Sequence, residues 1–323
     1  QEENYFDDSS ANRATADVSR CGELLKGAPN GWVMEYYVGK DYSLGGITLL
    51  CRFDGQRVTM ASQMSEADET VSSLYSVKSE QATMLSFDTY NYLVHYFGQP
   101  QGSMSDDPNG TLGGDYEFII SSASAERIEL KGKKYGNRIV MKALTEDQTW
   151  KQYLTKIKKV EDDAFFYEYD LLMDGLYTGQ MIRSNYTFIV TYYDEIGKVH
   201  QKTVPFMFTA DGLRFHEPVT IDGQTMQNFV WKNELISFVC TDEGATGVKL
   251  AGVYTAGYQS YDYYPGTYQM DFYRLNDETG QLEVASQEVR LLKNEDGKSY
   301  WLKGLEYDIL VMYDKPRGGL SVS

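Results

Sequence analysis

The sequence predicts a mainly β protein: antiparallel, hairpin-rich meanders curled into two barrel-like halves, with a short N-terminal helix and a connecting helix. Three observations predict it. Strand-like runs separated by tight-turn residues follow one another from Gly31 to the C-terminus. Only two stretches, 9–26 and 145–160, repeat apolar residues at steps of three and four. Tyrosine is over-used, 27 against 14 Phe and 4 Trp, and its ring suits a half-buried sheet while its hydroxyl stays wet.

The first helix is expected to start at a Ser9 or Ser10 cap, behind a disordered leader over 1–8. It carries an apolar stripe of Val18, Cys21, Leu24 and Leu25. Gly27 and Ala28-Pro29-Asn30-Gly31 end it, because Pro lacks the N–H, Asn bonds its own backbone and Gly permits positive φ. Trp32-Val33-Met34-Glu35-Tyr36-Tyr37 follows at once as a strand. Further strands are expected over 46–53, 57–63, 71–78, 83–89, 115–122, 126–133 and 137–143. Ile128 and Leu130 alternate with Arg127, Glu129 and Lys131, as a sheet with one wet face requires. Asp54-Gly55 marks a turn, Gly136-Asn137 reads as a two-residue hairpin loop, and 99–114 reads as a long polar loop.

The second helix, 145–160, is read with Thr145 as its cap and Trp150, Tyr153, Leu154 and Ile157 as its apolar face. Lys156, Lys158 and Lys159 sit near its end, where they suit the helix dipole. It divides the chain into a leader (1–8), a helix plus β domain (9–144), a connector (145–162) and a second β domain (163–323). The second half is again hairpins, with turns at Gly197, Asp211-Gly212, Asp222-Gly223 and Gly280, and a Gly- and Tyr-rich loop over 242–267. Hairpins in series favour up-and-down, lipocalin-like barrels over Greek-key sandwiches; a single large sheet assembly is the alternative. Leu130-Lys131-Gly132 with Ile139-Val140-Met141 is echoed by Leu302-Lys303-Gly304 with Leu310-Val311-Met312, from a duplicated unit or by chance.

Net charge is −17, which argues against nucleic acid as a partner and against adsorption to an anionic membrane. Cys21, Cys51 and Cys240 lack zinc-type spacing; Cys51 and Cys240, in apolar strand-like runs, read as buried thiols, with a single disulfide that leaves one thiol over as the alternative. No apolar run is long enough to cross a membrane as a helix. The opening QEENYFDDSS, without Met, reads as a processed start, of the kind that follows an upstream lipid-anchored cysteine.

Catalytic signatures are sparse. His95, His200 and His216 show no paired metal spacing, and His216 and Glu217 on one strand would point to opposite faces. There is no GxSxG elbow and no phosphate-cradling glycine loop. Carboxylates are too abundant to single out a pair, and Asp106-Asp107-Pro108-Asn109-Gly110 reads as a solvated turn rather than a calcium loop. No cofactor or metal is expected. The candidate contact surface is the cluster Tyr254, Tyr258, Tyr261, Tyr263, Tyr264 and Tyr268, kept irregular by Gly247, Gly252, Gly257, Pro265 and Gly266. Its alternative is a loop packing its own sheet end.

FDDSSANR at 6–13, LLKGAPNGWVMEYY at 24–37, LSFDTYNYLVHYF at 85–97 and GGDYEFIISSASAERIELKGKKYGNRIVM at 113–141 resemble a family of surface lipoproteins from gut Bacteroidales, catalogued as domain of unknown function 4302. PFMFTADGLRFHEP at 205–218 is similar too. The resemblance implies an outer-membrane, surface-exposed, lipid-anchored protein and, further off, an outer-membrane uptake complex as partner. It brings no catalytic or binding residues. The function expected is non-enzymatic binding of a nutrient-derived ligand or an uptake partner. A hydrolase working a glycan or peptide through paired carboxylates, and a structural subunit of an envelope complex, are the alternatives.

Overall fold

The structure, a computed structural model, describes residues 4–89, 91–95 and 114–322. Helix α1 (Asn4–Lys26) leads into eight antiparallel strands: β1 (Trp32–Val38), β2 (Gly45–Phe53), β3 (Arg57–Ser62), β4 (Val71–Ser79), β5 (Thr83–Phe87), β6 (Glu117–Ala123), β7 (Arg127–Gly132) and β8 (Arg138–Ala143). A short helix α2 (Tyr92–His95) lies between β5 and β6. The strands close as an up-and-down barrel, β8 pairing back onto β1. Helix α3 (Trp150–Asp163) then hands over to a second closed barrel: β9 (Glu168–Met173), β10 (Leu176–Ser184), β11 (Thr187–Tyr193), β12 (Val199–Phe208), β13 (Gly212–Ile221), β14 (Gln224–Lys232), β15 (Ser237–Cys240) and β16 (Val248–Val253).

The expected second domain, 163–323, is thus more than one body. After the second barrel comes an antiparallel sheet of β17 (Gly266–Leu275), β18 (Leu282–Lys293), β19 (Ser299–Lys303), β20 (Ile309–Asp314) and β21 (Gly319–Val322). The chain divides into two compact units: one holds both barrels, the other this sheet with Phe165–Tyr167 packed into it.

Both barrels are filled by their own side chains. Trp32, Met34, Tyr36, Leu49, Met60, Phe87 and Phe118 fill the first; Tyr169, Phe188, Phe206, Phe208, Phe215 and Phe238 are buried in the second. Small barrels leave just enough interior for such filling. Helix α1 packs against β2, β4 and β5 of the first barrel. Its Cys21 and Leu25 are buried, and the Trp32 indole donates to the Leu25 carbonyl at 3.0 Å.

Several local expectations are corrected. The leader is helical from Asn4, since no Gly or Pro interrupts the chain before Gly22. Ser9 lies inside the helix, accepting from the Arg13 guanidinium, and does not cap it. Thr149, not Thr145, caps α3, in a reciprocal capping box with Gln152; the Thr145 hydroxyl is taken by Asp147. The helix runs on to Asp163, so its lysines sit mid-helix. The loop around Gly136-Asn137 spans five residues, 133–137, wrapped on the buried Asp115. That carboxylate accepts from the backbone of Lys134, Tyr135 and Asn137 and from the Asn137 amide. Strand β16 occupies part of the expected 242–267 loop. The 99–114 loop, with Asp106–Gly110, lies outside the described residues except for Gly114. All three cysteines are free and buried.

Helix α3 bridges the barrels, as a connector should. Its Leu154 packs with Val33, Leu50, Ala61 and Leu144 on the outside of the first barrel. The Lys158 ammonium donates to the carbonyls of Gln63 and Ser65 at 3.2 and 2.8 Å. One turn later Glu161 accepts from Arg183 at 3.2 Å and Tyr186 at 2.9 Å in the second barrel. The barrels also touch directly where Gly45 makes an isolated parallel bridge to Tyr186. A Cβ on Gly45 would lie 1.9 Å from the Tyr186 carbonyl oxygen, and one on Gly46 would lie 2.9 Å from the Met207 Cβ. Only glycine admits this approach.

Candidate functional site

Beside that contact, on the outer face of the first barrel, lies a groove of about 430 Å³. Strand alternation builds its floor. Arg127, Glu129 and Lys131 share one face of β7, and their register partners on β8 are Lys142, Val140 and Arg138. On β1, Glu35 lies opposite Val140, and Tyr37 is the next residue on that face. Arg214 and His216 of β13 close the groove from the second barrel. Their neighbours Leu213 and Phe215 are buried, which turns Arg214 and His216 outward.

The lining holds five Lys or Arg side chains and two carboxylates, Glu35 and Glu129. A surplus of three positive charges in a chain of net charge −17 is a local inversion of the protein's field. Glu35 is nearly buried and serves two cations at once: Lys142 Nζ at 2.6 Å and the Arg214 guanidinium. Arg214 also reaches the Met207 sulfur at 3.2 Å. Arg127 pairs with Glu129 at 3.0 Å. Lys131 and Arg138 make no ion pair among the described residues and are exposed.

Burial shapes the protonation equilibria here. Desolvation, then the Arg127 guanidinium, lower the Lys142 pKa. Burial also lowers that of Arg214. His216 is pushed below the usual imidazole value by burial, against Glu217 and with the help of Arg138 and Arg214. Its ring packs against both Tyr37 and Tyr42, centroids 4.1 and 4.5 Å away, and the two tyrosines also meet edge to face at 6.1 Å. Tyr42 reaches it from a turn in which Asp41 and Tyr42 both adopt left-handed backbone, φ 53° and 57°. Two consecutive non-glycine residues there cost about 1–2 kcal/mol each, a strain that surrounding contacts, the Tyr42 ring on His216 among them, have to offset. The expected opposite orientation of His216 and Glu217 does not hold: their side chains approach to 3.7 Å, within the segment of β13 where the ladder register shifts.

The tyrosine cluster lies in the other unit and splits in two. Tyr258, Tyr261 and Tyr264 face inward. Tyr261 and Tyr264 pack with Tyr300 and Tyr313, and their hydroxyls donate to the Ser299 and Gly318 carbonyls, each at 2.7 Å. Tyr258 stacks on Phe165 and accepts from the Tyr313 hydroxyl. Tyr254, Tyr263 and Tyr268 are exposed, at 48, 60 and 44 %. The six therefore do not form one platform.

A larger hollow, about 570 Å³, opens beside Trp150. Its charges nearly balance, and its aromatic ring is committed, donating to the Asn30 carbonyl at 2.9 Å under the Arg52 guanidinium. The Asn30 amide in turn holds the Thr145 and Gln148 carbonyls at 2.8 Å each, so the APNG turn is a fastening. Among the described residues no group of three or more His, Cys, Asp or Glu side chains is placed to hold a metal, and no helix is long and apolar enough to cross a membrane.

The basic groove escaped the sequence reading. The alternation of Arg127, Glu129 and Lys131 was legible, but barrel closure and Arg214 from 179 residues beyond Glu35 were not. The model of the family described as Domain of unknown function (DUF4302) matches residues 2–233, and the chain belongs to that family. A second model, described as a domain of unknown function (DUF4987), matches 241–323. No curated protein and no solved structure matches the chain.

Proposed function

We propose that this DUF4302 chain is a non-enzymatic binding protein, lipid-anchored on the outer-membrane surface, that holds a nutrient-derived ligand or an uptake partner. The observation that carries the reading is the basic groove between the barrels. Both barrel interiors are occupied, so a ligand has to be met on the outside. The groove supplies concavity, charge and a strained aromatic turn in one place, which together mark a contact site better than any single feature. The exposed Tyr254, Tyr263 and Tyr268 are a secondary contact in this proposal.

A direct test is retention of solubilised native envelope components and glycan digests on the immobilised chain. Reversing charge with Lys131→Glu and Arg138→Glu should abolish retention, and Tyr254→Ala, Tyr263→Ala and Tyr268→Ala together should weaken it. Retention untouched by the charge reversals would discard the groove. Labelling of the native protein with a palmitate analogue, together with protease access on whole cells, tests anchoring and exposure; absence of label would overturn the lipoprotein part.

A second reading has one observation in its favour. The far end of the β17–β18 ribbon exposes Tyr273, Leu275, Leu282 and Val284, each at least 58 %. An apolar patch of this kind suits a structural subunit of an envelope complex. Stoichiometric co-purification lost on Leu282→Ser and Val284→Ser would favour it.

A further inference from the structure

We propose that the groove takes a small polyanion: a compact ligand carrying two or more sulfate, carboxylate or phosphate groups, such as an acidic saccharide or an organic polyacid. The inference rests on the reading above, that the groove is a contact surface, and adds the chemical class of what it contacts.

The floor carries the argument. Strands β7 and β8 bear two cation pairs, Arg127 with Lys142 and Lys131 with Arg138, as direct register partners. Between them lies the row Glu129, Val140 and Glu35. Same-face neighbours along a strand are about 6.6 Å apart, so the two pairs are about 13 Å apart. That separation matches anionic groups at two ends of a disaccharide-sized molecule. The Lys131–Arg138 pair is exposed and without a carboxylate among the described residues, so it offers a full set of donors. Arg214 and Lys142 share one carboxylate between them and keep further N–H groups for a ligand.

Size and backbone geometry separate a small ligand from a peptide. A volume of about 430 Å³ lies in the range of small-molecule sites. Acidic peptides are commonly held by adding a strand to a free sheet edge. The floor offers no such edge: β1, β7 and β8 are hydrogen-bonded on both sides within a closed barrel. Recognition has to come from side chains, which favours a rigid ligand dense in charge.

Glu35 gives the proposal a signature of unusual sign. Its carboxylate sits among the cations as a built-in competitor for them. Removing it should weaken the fold and strengthen the ligand.

The test is titration calorimetry on the full chain at low salt with three probes: a fully sulfated heparin-type disaccharide, citrate and tetraglutamate. Binding of the disaccharide or citrate, falling as salt is raised, is the expected result. Lys131→Gln with Arg138→Gln should weaken it by about tenfold or more, as loss of charged contacts does. Lys198→Gln with Lys232→Gln makes the same charge change on exposed positions of the second barrel and should leave it unchanged. Glu35→Gln should tighten it. Binding of none of the probes, equal loss in both double variants, or binding of tetraglutamate alone would overturn the proposal. If small anions fail while the charge reversals still abolish retention of envelope components, the groove stays the contact and only the ligand class falls. If retention also persists, both readings fall.

Discussion

The two barrels share strand number and up-and-down order, yet they wear different coats. In the first, β1 is buried along its whole length and β2 at every residue but Arg52. One face of each looks into the barrel; the other is covered by α3 and by the second barrel. In the second barrel the outward residues of β9, β10 and β14 are partly or fully exposed, and burial alternates along β9 and the middle of β10. The first barrel is therefore the hub, and the second is docked onto it. The candidate groove lies where the coat on the first barrel stops, at β7 and β8, so its walls come from two barrels while its floor comes from one.

The sharpest way to break this asymmetry is Gly45→Ala. Glycine is required there twice, by φ of 71° and by the Tyr186 carbonyl 1.9 Å from any Cβ. Left-handed strain and forced separation of the barrels together should cost about 3 kcal/mol. Urea unfolding reads the loss, and limited proteolysis should show new cleavage between the barrels. The matched change Gly197→Ala, in an exposed turn with φ of 78° and open space around it, should cost only about 1 kcal/mol. Equal costs would mean that the barrel contact contributes little.

The coat also explains what the sequence could and could not disclose. Strand positions in the first barrel were legible from turn residues and apolar runs, and β1 through β8 fall within a few residues of expectation. The strand at Trp32–Val38 was legible, but its continuous burial was not: Glu35 in the middle of the run reads as a wet position until two cations cover it. The covering elements are far away in sequence: Leu154, Met207 and Arg214 meet β1 and β2 only after two barrels have closed. The same distance hid the groove. In the second half, Gly and Tyr density over 242–267 read as loop because β16 is short and its Gly252 and neighbouring tyrosines mimic loop composition. Among the tyrosines, composition could not tell the three that pack inward from the three that face water.

Glu35→Gln tests the seam chemically. Its carboxylate ties β1 to Lys142 within the first barrel and to Arg214 of the second. Both cations keep some solvent access, 42 and 26 % of their side chains, so the loss should be about 2 kcal/mol, below that of a fully buried pair. Glu129→Gln removes a partner of Arg127 from a pair about half exposed on both sides and should cost at most about 0.5 kcal/mol. Thermal melts of the two variants give the ratio, and a ratio near one would show that Glu35 is not clamped between the barrels.

The smallest effect is a pH dependence confined to the seam. His216 faces Tyr37, Tyr42, Arg138, Arg214 and Glu217. Burial, helped by the two guanidinium groups and opposed by Glu217, keeps its folded-state pKa below the ordinary histidine value. The unfolded chain then takes up the proton first as pH falls. Stability should be unaffected by this group above about pH 7.5, decline as pH drops through about 6.5, and level off once the folded-state pKa has been passed. Urea midpoints at about pH 7.5 and about pH 5.5 should differ less for His216→Gln than for the native chain. A bound polyanion should reduce the native chain's decline as well, because negative charge beside the imidazole favours its protonated form. Were the decline identical with and without the sulfated disaccharide, while calorimetry still showed binding, the anion would have to sit at the Arg127–Lys142 end and not against His216.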